Sequence, residues 1–191
     1  MNYVASICLV SVFAGCRGDS PPYRGSSVAT SSTASGRIAP NRSAAADSLR
    51  DDLVEHGLLV PDGGREPVIA RLGRPDSVRW HTESSAYDPA MTDSTAYLFY
   101  SGLRLDYAVR KGNQPDLLQI ADVSDNRYLK YPALGVGATV AAIVSALGEP
   151  SERTDDSYSY VCGRCVGPGE PVIFHLQGGR VKGVEYQFYV D

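Results

Sequence analysis

The sequence predicts an α+β fold: two tandem units, each a short helix followed by an antiparallel meander, packed as one domain behind a disordered tether. Three observations lead there. Val68-Ile69, Leu72, Gly73 and Pro75 recur as Ile143-Val144, Leu147, Gly148 and Pro150 at a constant offset (143 − 68 = 75, 150 − 75 = 75), and a self-match at fixed spacing is the signature of an internal duplication. Val140, Ile143, Val144 and Leu147 fall at i, i+3, i+4 and i+7, one face of a helix. Leu103, Leu105, Tyr107 and Val109 alternate with Arg104, Asp106 and Arg110. That period of two marks a strand with one buried and one wet face.

Met1 to Cys16 has the anatomy of an export signal. Val4 to Gly15 is uncharged, largely apolar and too short for a span of about 20 residues. It runs Val12-Phe13-Ala14-Gly15-Cys16, which resembles a bacterial lipoprotein box, although Phe13 stands where Leu is usual and Met1-Asn2-Tyr3 lacks Lys or Arg. The expectation is lipidation at Cys16 and membrane attachment through that lipid. By resemblance to enterobacterial lipoproteins, Arg17 after the cysteine gives no inner-membrane retention signal. The expected address is the bacterial envelope, in the outer membrane facing the periplasm. Residues 17–46 are rich in Ser, Ala, Gly, Pro and Arg, with almost no large apolar side chain to offset ordering entropy. A tether of about 30 residues reaches roughly 30 Å.

The folded part is expected in two units, 47–127 and 128–191. Ser48 is a candidate N-cap, with Leu49, Leu53 and Val54 on one helical face and Gly57 as the stop. Pro67 suits a first helical turn, and the next helix ends at Leu72-Gly73, with Pro75 forbidding continuation. Strands are expected at Val78–Trp80, Ala96–Tyr100, Leu103–Arg110 and Leu117–Val123, with a polar loop over Thr82–Ser94. In the second unit Thr139 caps a helix ending Leu147-Gly148. Strands follow at Ser157–Val161, Val172–Leu176 and Val181–Val190. Units this small are marginal apart, so one shared core is expected.

Gly137-Ala138-Thr139, Leu147-Gly148-Glu149-Pro150, the Tyr-rich strand and Val172-Ile173-Phe174 before Gly179-Arg180-Val181 resemble the SmpA/OmlA (BamE-type) lipoprotein domain. The unit in tandem is similar to the beta-lactamase-inhibitor-protein fold. The resemblance covers Gly135 to Asp191 well and Arg65 to Val123 loosely, because the first copy lacks the Gly-x-Thr start. It implies binding or assembly work in the envelope and carries no catalytic residues.

The chain has 191 residues, 43% hydrophobic and 21% charged, with net charge −4, so charge implies no nucleic-acid partner. Cys162-Gly163-Arg164-Cys165 is the sharpest chemical feature, since Cys8 should leave with the signal and Cys16 should be acylated. A disulfide stapling the loop fits an oxidising envelope. Free thiols, a metal site and redox work are the alternatives. Zinc would need further ligands, and a thioredoxin-type thiol needs a helix N-terminus. A bridge beside the wet face would preorganise a contact surface. His56, His81 and His175 have no ligand spacing, and no catalytic, cofactor or metal-binding motif is present.

Twelve tyrosines against four phenylalanines read first as half-buried sheet packing with hydroxyls at the surface. The other reading is a recognition face made of Tyr100, Arg104, Asp106, Arg110, His175, Glu185, Gln187 and Tyr189, because Tyr and Arg anchor interfaces. The leading expectation is therefore a non-catalytic envelope lipoprotein that binds another envelope protein. The alternatives are an inhibitor or ligand-binding module presenting a sheet face, and a thiol-dependent redox enzyme using Cys162 and Cys165.

Overall fold

The computed structural model describes residues 44–61, 63–85, 88, 90–165 and 170–188. The expected signal, Cys16, Tyr189 and the expected tether up to residue 43 lie outside them. The described residues are mixed α and β. Helices α1 (Ala44–His56), α2 (Arg65–Leu72) and α3 (Val140–Leu147) accompany strands β1 (Ser77–Ser84), β2 (Thr92–Tyr100), β3 (Leu103–Ala108) and β4 (Leu117–Val123). After two short 3-10 turns and α3 come β5 (Glu152–Arg153), β6 (Ser157–Tyr160), β7 (Val172–Gln177) and β8 (Arg180–Gln187). All eight strands form one antiparallel sheet in the order β1-β2-β3-β4-β8-β7-β6-β5.

Helix α1 begins at Ala44, so Ser48 is not its cap but an interior residue whose hydroxyl accepts from Arg164 at 3.1 Å. Thr139 does cap α3, its Oγ1 accepting from the Ala142 N–H at 3.2 Å. The two short helices end alike. Gly73 (φ 85°) and Gly148 (φ 77°) return their N–H groups to Ile69 and Val144, both at 2.9 Å, in a left-handed region that residues with a Cβ avoid. Val68 and Ile143, one per helix, are fully buried. The polar loop expected over Thr82–Ser94 shrinks at both ends, because β1 runs to Ser84 and pairs with Thr92 at the start of β2.

All three helices pack on one face of the sheet, against Leu98, Leu105, Ala121, Val123, Phe174 and Val184. The tyrosines depart from the surface-hydroxyl expectation. Tyr107, Tyr160 and Tyr186 are at most 2% exposed, and burial pushes the Tyr107 and Tyr186 phenols up. Tyr160 donates to the Gly148 carbonyl at 3.1 Å and Tyr100 to the Gly73 carbonyl at 3.3 Å. In each segment a tyrosine from the second strand thus satisfies the carbonyl at a helix end, where backbone acceptors lack intrahelical partners.

Two bulges bend the sheet. β4 carries an extra residue, Gln119, where its pairing with β3 shifts between Asp106 and Tyr107. β8 carries Lys182 where its pairing with β7 shifts between His175 and Leu176. Each extra residue breaks the period of two, so Val181 and Val184, three apart, both point into the core.

Cys162 and Cys165 form a disulfide with Cα atoms 5.5 Å apart. The described residues of their loop meet α1. Asp51 of α1, 6% exposed, accepts from the Gly163 N–H at 2.9 Å and Arg164 Nε at 2.6 Å. Burial raises the Asp51 carboxyl, but these donors outweigh it and hold the group below its ordinary value. The described Cys162–Cys165 part of the loop is thereby fastened to α1. Asp52 ties α1 to the segment between the two meanders, accepting from Lys130 at 2.7 Å and from the Tyr131 hydroxyl.

Ile143→Ala and Leu147→Ala should each cost about 2–5 kcal/mol in urea unfolding, the range for emptying a fully buried aliphatic site. Losses as small as those of exposed sites would show that α3 is not packed on the sheet. Replacing both Cys162 and Cys165 by Ser should cost at most about 2 kcal/mol, because the ring closed is very short. Mass spectrometry of the unreduced protein should show the two-proton deficit of the bridge, and its absence would refute the disulfide.

Candidate functional site

The sheet face opposite the helices carries the cluster with the clearest chemistry. It sits at the seam where β4 meets β8, through the pairs Ile120–Gln187, Ala121–Tyr186, Asp122–Glu185 and Val123–Val184. Alternation sends Ala121, Val123, Val184 and Tyr186 into the core and leaves Ile120, Asp122, Glu185 and Gln187 on the open side. Arg104 lies opposite Asp122 on β3, with Phe99 beyond it on β2.

Arg104 is the hub. Its Nε donates to Asp106 Oδ1 at 3.0 Å and its Nη2 to Asp106 Oδ2 at 3.1 Å. The same Nη2 lies 2.7 Å from Asp122 Oδ2. On the second meander, His175 Nε2 stands 3.0 Å from Glu185 Oε2, and Gln187 Nε2 donates to Glu185 Oε1 at 2.5 Å. Asp106 is 5% exposed. Burial, aided by repulsion from Asp122 and Glu185, raises its carboxyl against the opposing pull of Arg104. Asp122 is raised by burial and by Glu185, again against Arg104. Three carboxyl groups, Asp106, Asp122 and Glu185, thus gather around one guanidinium, with His175 beside them.

Of the residues expected on one recognition face, Arg104, Asp106, His175, Glu185 and Gln187 come together here. Tyr100 does not. It pairs with Leu103 on the core side, and its hydroxyl reaches Gly73. Arg110 lies beyond β3, where its backbone N–H donates to Asp116 Oδ1 at 3.2 Å, and the Arg65 guanidinium binds the same carboxylate. Tyr189 lies outside the described residues. Asp122 escaped sequence reasoning although it is central, because its role comes from the neighbours on β3 and β8. The alternation Ile120-Ala121-Asp122-Val123 was the available signal. Half-buried Tyr97, Phe99, Ile120 and Ile173 share this face by register.

Among the described residues two groups of donor atoms lie within 4.8 Å of one another: Asp122, His175 and Glu185, and separately Glu55, Cys162 and Cys165. In the second, the thiols are joined as a disulfide. Among the described residues no helix begins beside this pair in the chain, the position that would depress a thiol pKa.

A carboxyl whose pKa is raised on folding binds more protons in the folded than in the unfolded state. Its contribution therefore disfavours the fold as pH rises through the raised value, and the penalty persists at neutrality. Asp122→Asn should accordingly raise stability at neutral pH, with the gain fading as pH falls below the ordinary carboxylate range. Urea unfolding across pH tests this, and a destabilisation at neutral pH that fades as the carboxyl is protonated in acid would show that the Arg104 ion pair dominates instead. Neither a protein-family model, nor a curated protein, nor a solved structure matches this chain.

Proposed function

We propose that this chain is a bacterial envelope lipoprotein, held to a membrane by a lipid on Cys16, whose tandem SmpA/OmlA-like domain binds another envelope protein without catalysis. The observation that carries the binding proposal is the division of the sheet. Three helices cover one face, while the other presents half-buried Tyr97, Phe99, Ile120 and Ile173 around a charged centre of Arg104, Asp122, His175 and Glu185. Aromatic and aliphatic groups around a small charged centre are the composition of an interface, in which a few desolvated residues supply most of the affinity.

The tandem reading is supported by matched details in the two segments. Each has a helix ended by glycine, a tyrosine on that helix-end carbonyl, and a bulge between its third and fourth strands. Among the described residues no helix is long and apolar enough to cross a membrane, which is compatible with attachment through Cys16.

The binding proposal is tested by cross-linking and pull-down from intact cells with the native chain and with Phe99→Glu. The partner recovered with the native chain should fall at least tenfold with Phe99→Glu while the melting temperature is kept. Equal recovery would exclude this face. For the anchor, Cys16→Ser should move the protein from the membrane to the soluble envelope fraction, and unchanged retention would refute lipidation.

A further inference from the structure

We propose that Asp122, His175 and Glu185 form a divalent-metal site, with zinc as the fitting ion, that clasps the two meanders across the β4–β8 seam. The proposal does not depend on the open face binding a protein. The starting point is a conflict in the sheet. Asp122 and Glu185 are direct cross-strand partners in the central ladder, and like charges placed directly opposite destabilise a sheet. Both are only partly exposed, with side chains at 34% and 18%, so water screens them incompletely. Arg104 offsets one charge but is shared with buried Asp106.

The donor set is of the kind zinc takes. An imidazole nitrogen and two carboxylate oxygens lie within 4.8 Å of one another, and three protein ligands with an open fourth position is the arrangement of an accessible zinc site. His175 lies across the ladder from Gly183. Both line a cavity of about 310 Å³ together with Phe99, Arg104 and Asp122.

The ligands are oriented from outside. Gln187 Nε2 pins Glu185 Oε1 at 2.5 Å, and Arg104 Nη2 pins Asp122 Oδ2 at 2.7 Å. From outside the triad each carboxylate is thus held by one oxygen, while Glu185 Oε2 meets His175 Nε2 at 3.0 Å, the contact that a bound ion would replace. Such supporting contacts are what make a ligand set rather than a chance meeting of side chains. Asp122 comes from the first meander and His175 and Glu185 from the second, so the ion would join strands that the chain links only at a distance.

The test is calorimetric titration of zinc chloride into the full chain with its disulfide intact, together with thermal melting at rising zinc. The expected results are one ion per chain, a melting temperature that climbs with zinc, and at least a tenfold loss of affinity in His175→Gln and Glu185→Gln. Far-UV circular dichroism should show that these variants keep the fold. The Cys162→Ser, Cys165→Ser double variant should bind as tightly as the native chain, which separates this site from the cluster at Glu55. Absence of binding at millimolar zinc would overturn the proposal. So would affinity unchanged in His175→Gln, or affinity lost only in the cysteine variant.

Discussion

The architecture depends on a short run of backbone pairing, the four residue pairs between β4 and β8. Without it there are two four-stranded meanders, each with a helix on one side and each too small to bury an adequate core. With it the sheet is continuous, and Ala121, Val123, Val184 and Tyr186 close the middle of the core. The ladder is antiparallel, and it fixes which residues of one meander meet which of the other. Because side chains alternate, the same four pairs decide the chemistry of the opposite face. Placing Val123 against Val184 obliges Asp122 to face Glu185.

The helical side is held by polar contacts as well as apolar ones. Helix α1 supplies Leu53 to the core, while adjacent Asp51 and Asp52 fasten it to the Cys162–Cys165 loop and to the connector at Lys130 and Tyr131. A buried carboxylate is costly unless its lone pairs are filled. Asp51 meets that condition with a backbone N–H and a guanidinium, which is why its carboxyl stays ionised where Asp106 and Asp122 are pushed the other way. At Gly57, where α1 stops, an added Cβ would lie 2.5 Å from the Tyr186 hydroxyl. The glycine that ends the helix also lets it sit close against the sheet.

The open face has the opposite economy. Its charged residues are incompletely neutralised, and its aromatic and aliphatic residues are incompletely covered. The helical face satisfies many of its groups from within the chain, with the Tyr100 and Tyr160 hydroxyls reaching helix-end carbonyls and Arg164 reaching α1, although the buried Tyr186 hydroxyl and Arg50 Nε find no partner among the described residues. A face left short of both counter-charge and cover is where something outside the chain gains most by arriving, whether an ion at the seam or a protein across the strands.

Local chemistry made much of this legible in the sequence. Helical spacing and the Leu-Gly-x-Pro ending placed α2 and α3, because a helix stop needs only a glycine able to turn left-handed and a proline that cannot continue. The strand over Leu117–Val123 was legible from its apolar content, and the C-x-x-C pair from its spacing. What tertiary structure decided is everything that depends on register. The bulges at Gln119 and Lys182 shift the alternation by one residue, so inward and outward positions cannot be carried along β4 or β8 from the sequence. Tyr100 turned to the core and Arg110 fell beyond the end of β3, while Asp122, unremarkable in its own strand, came to the centre. Its importance is set by Arg104 on one side and Glu185 on the other, and a cross-strand neighbour is a property of pairing, which no local pattern encodes.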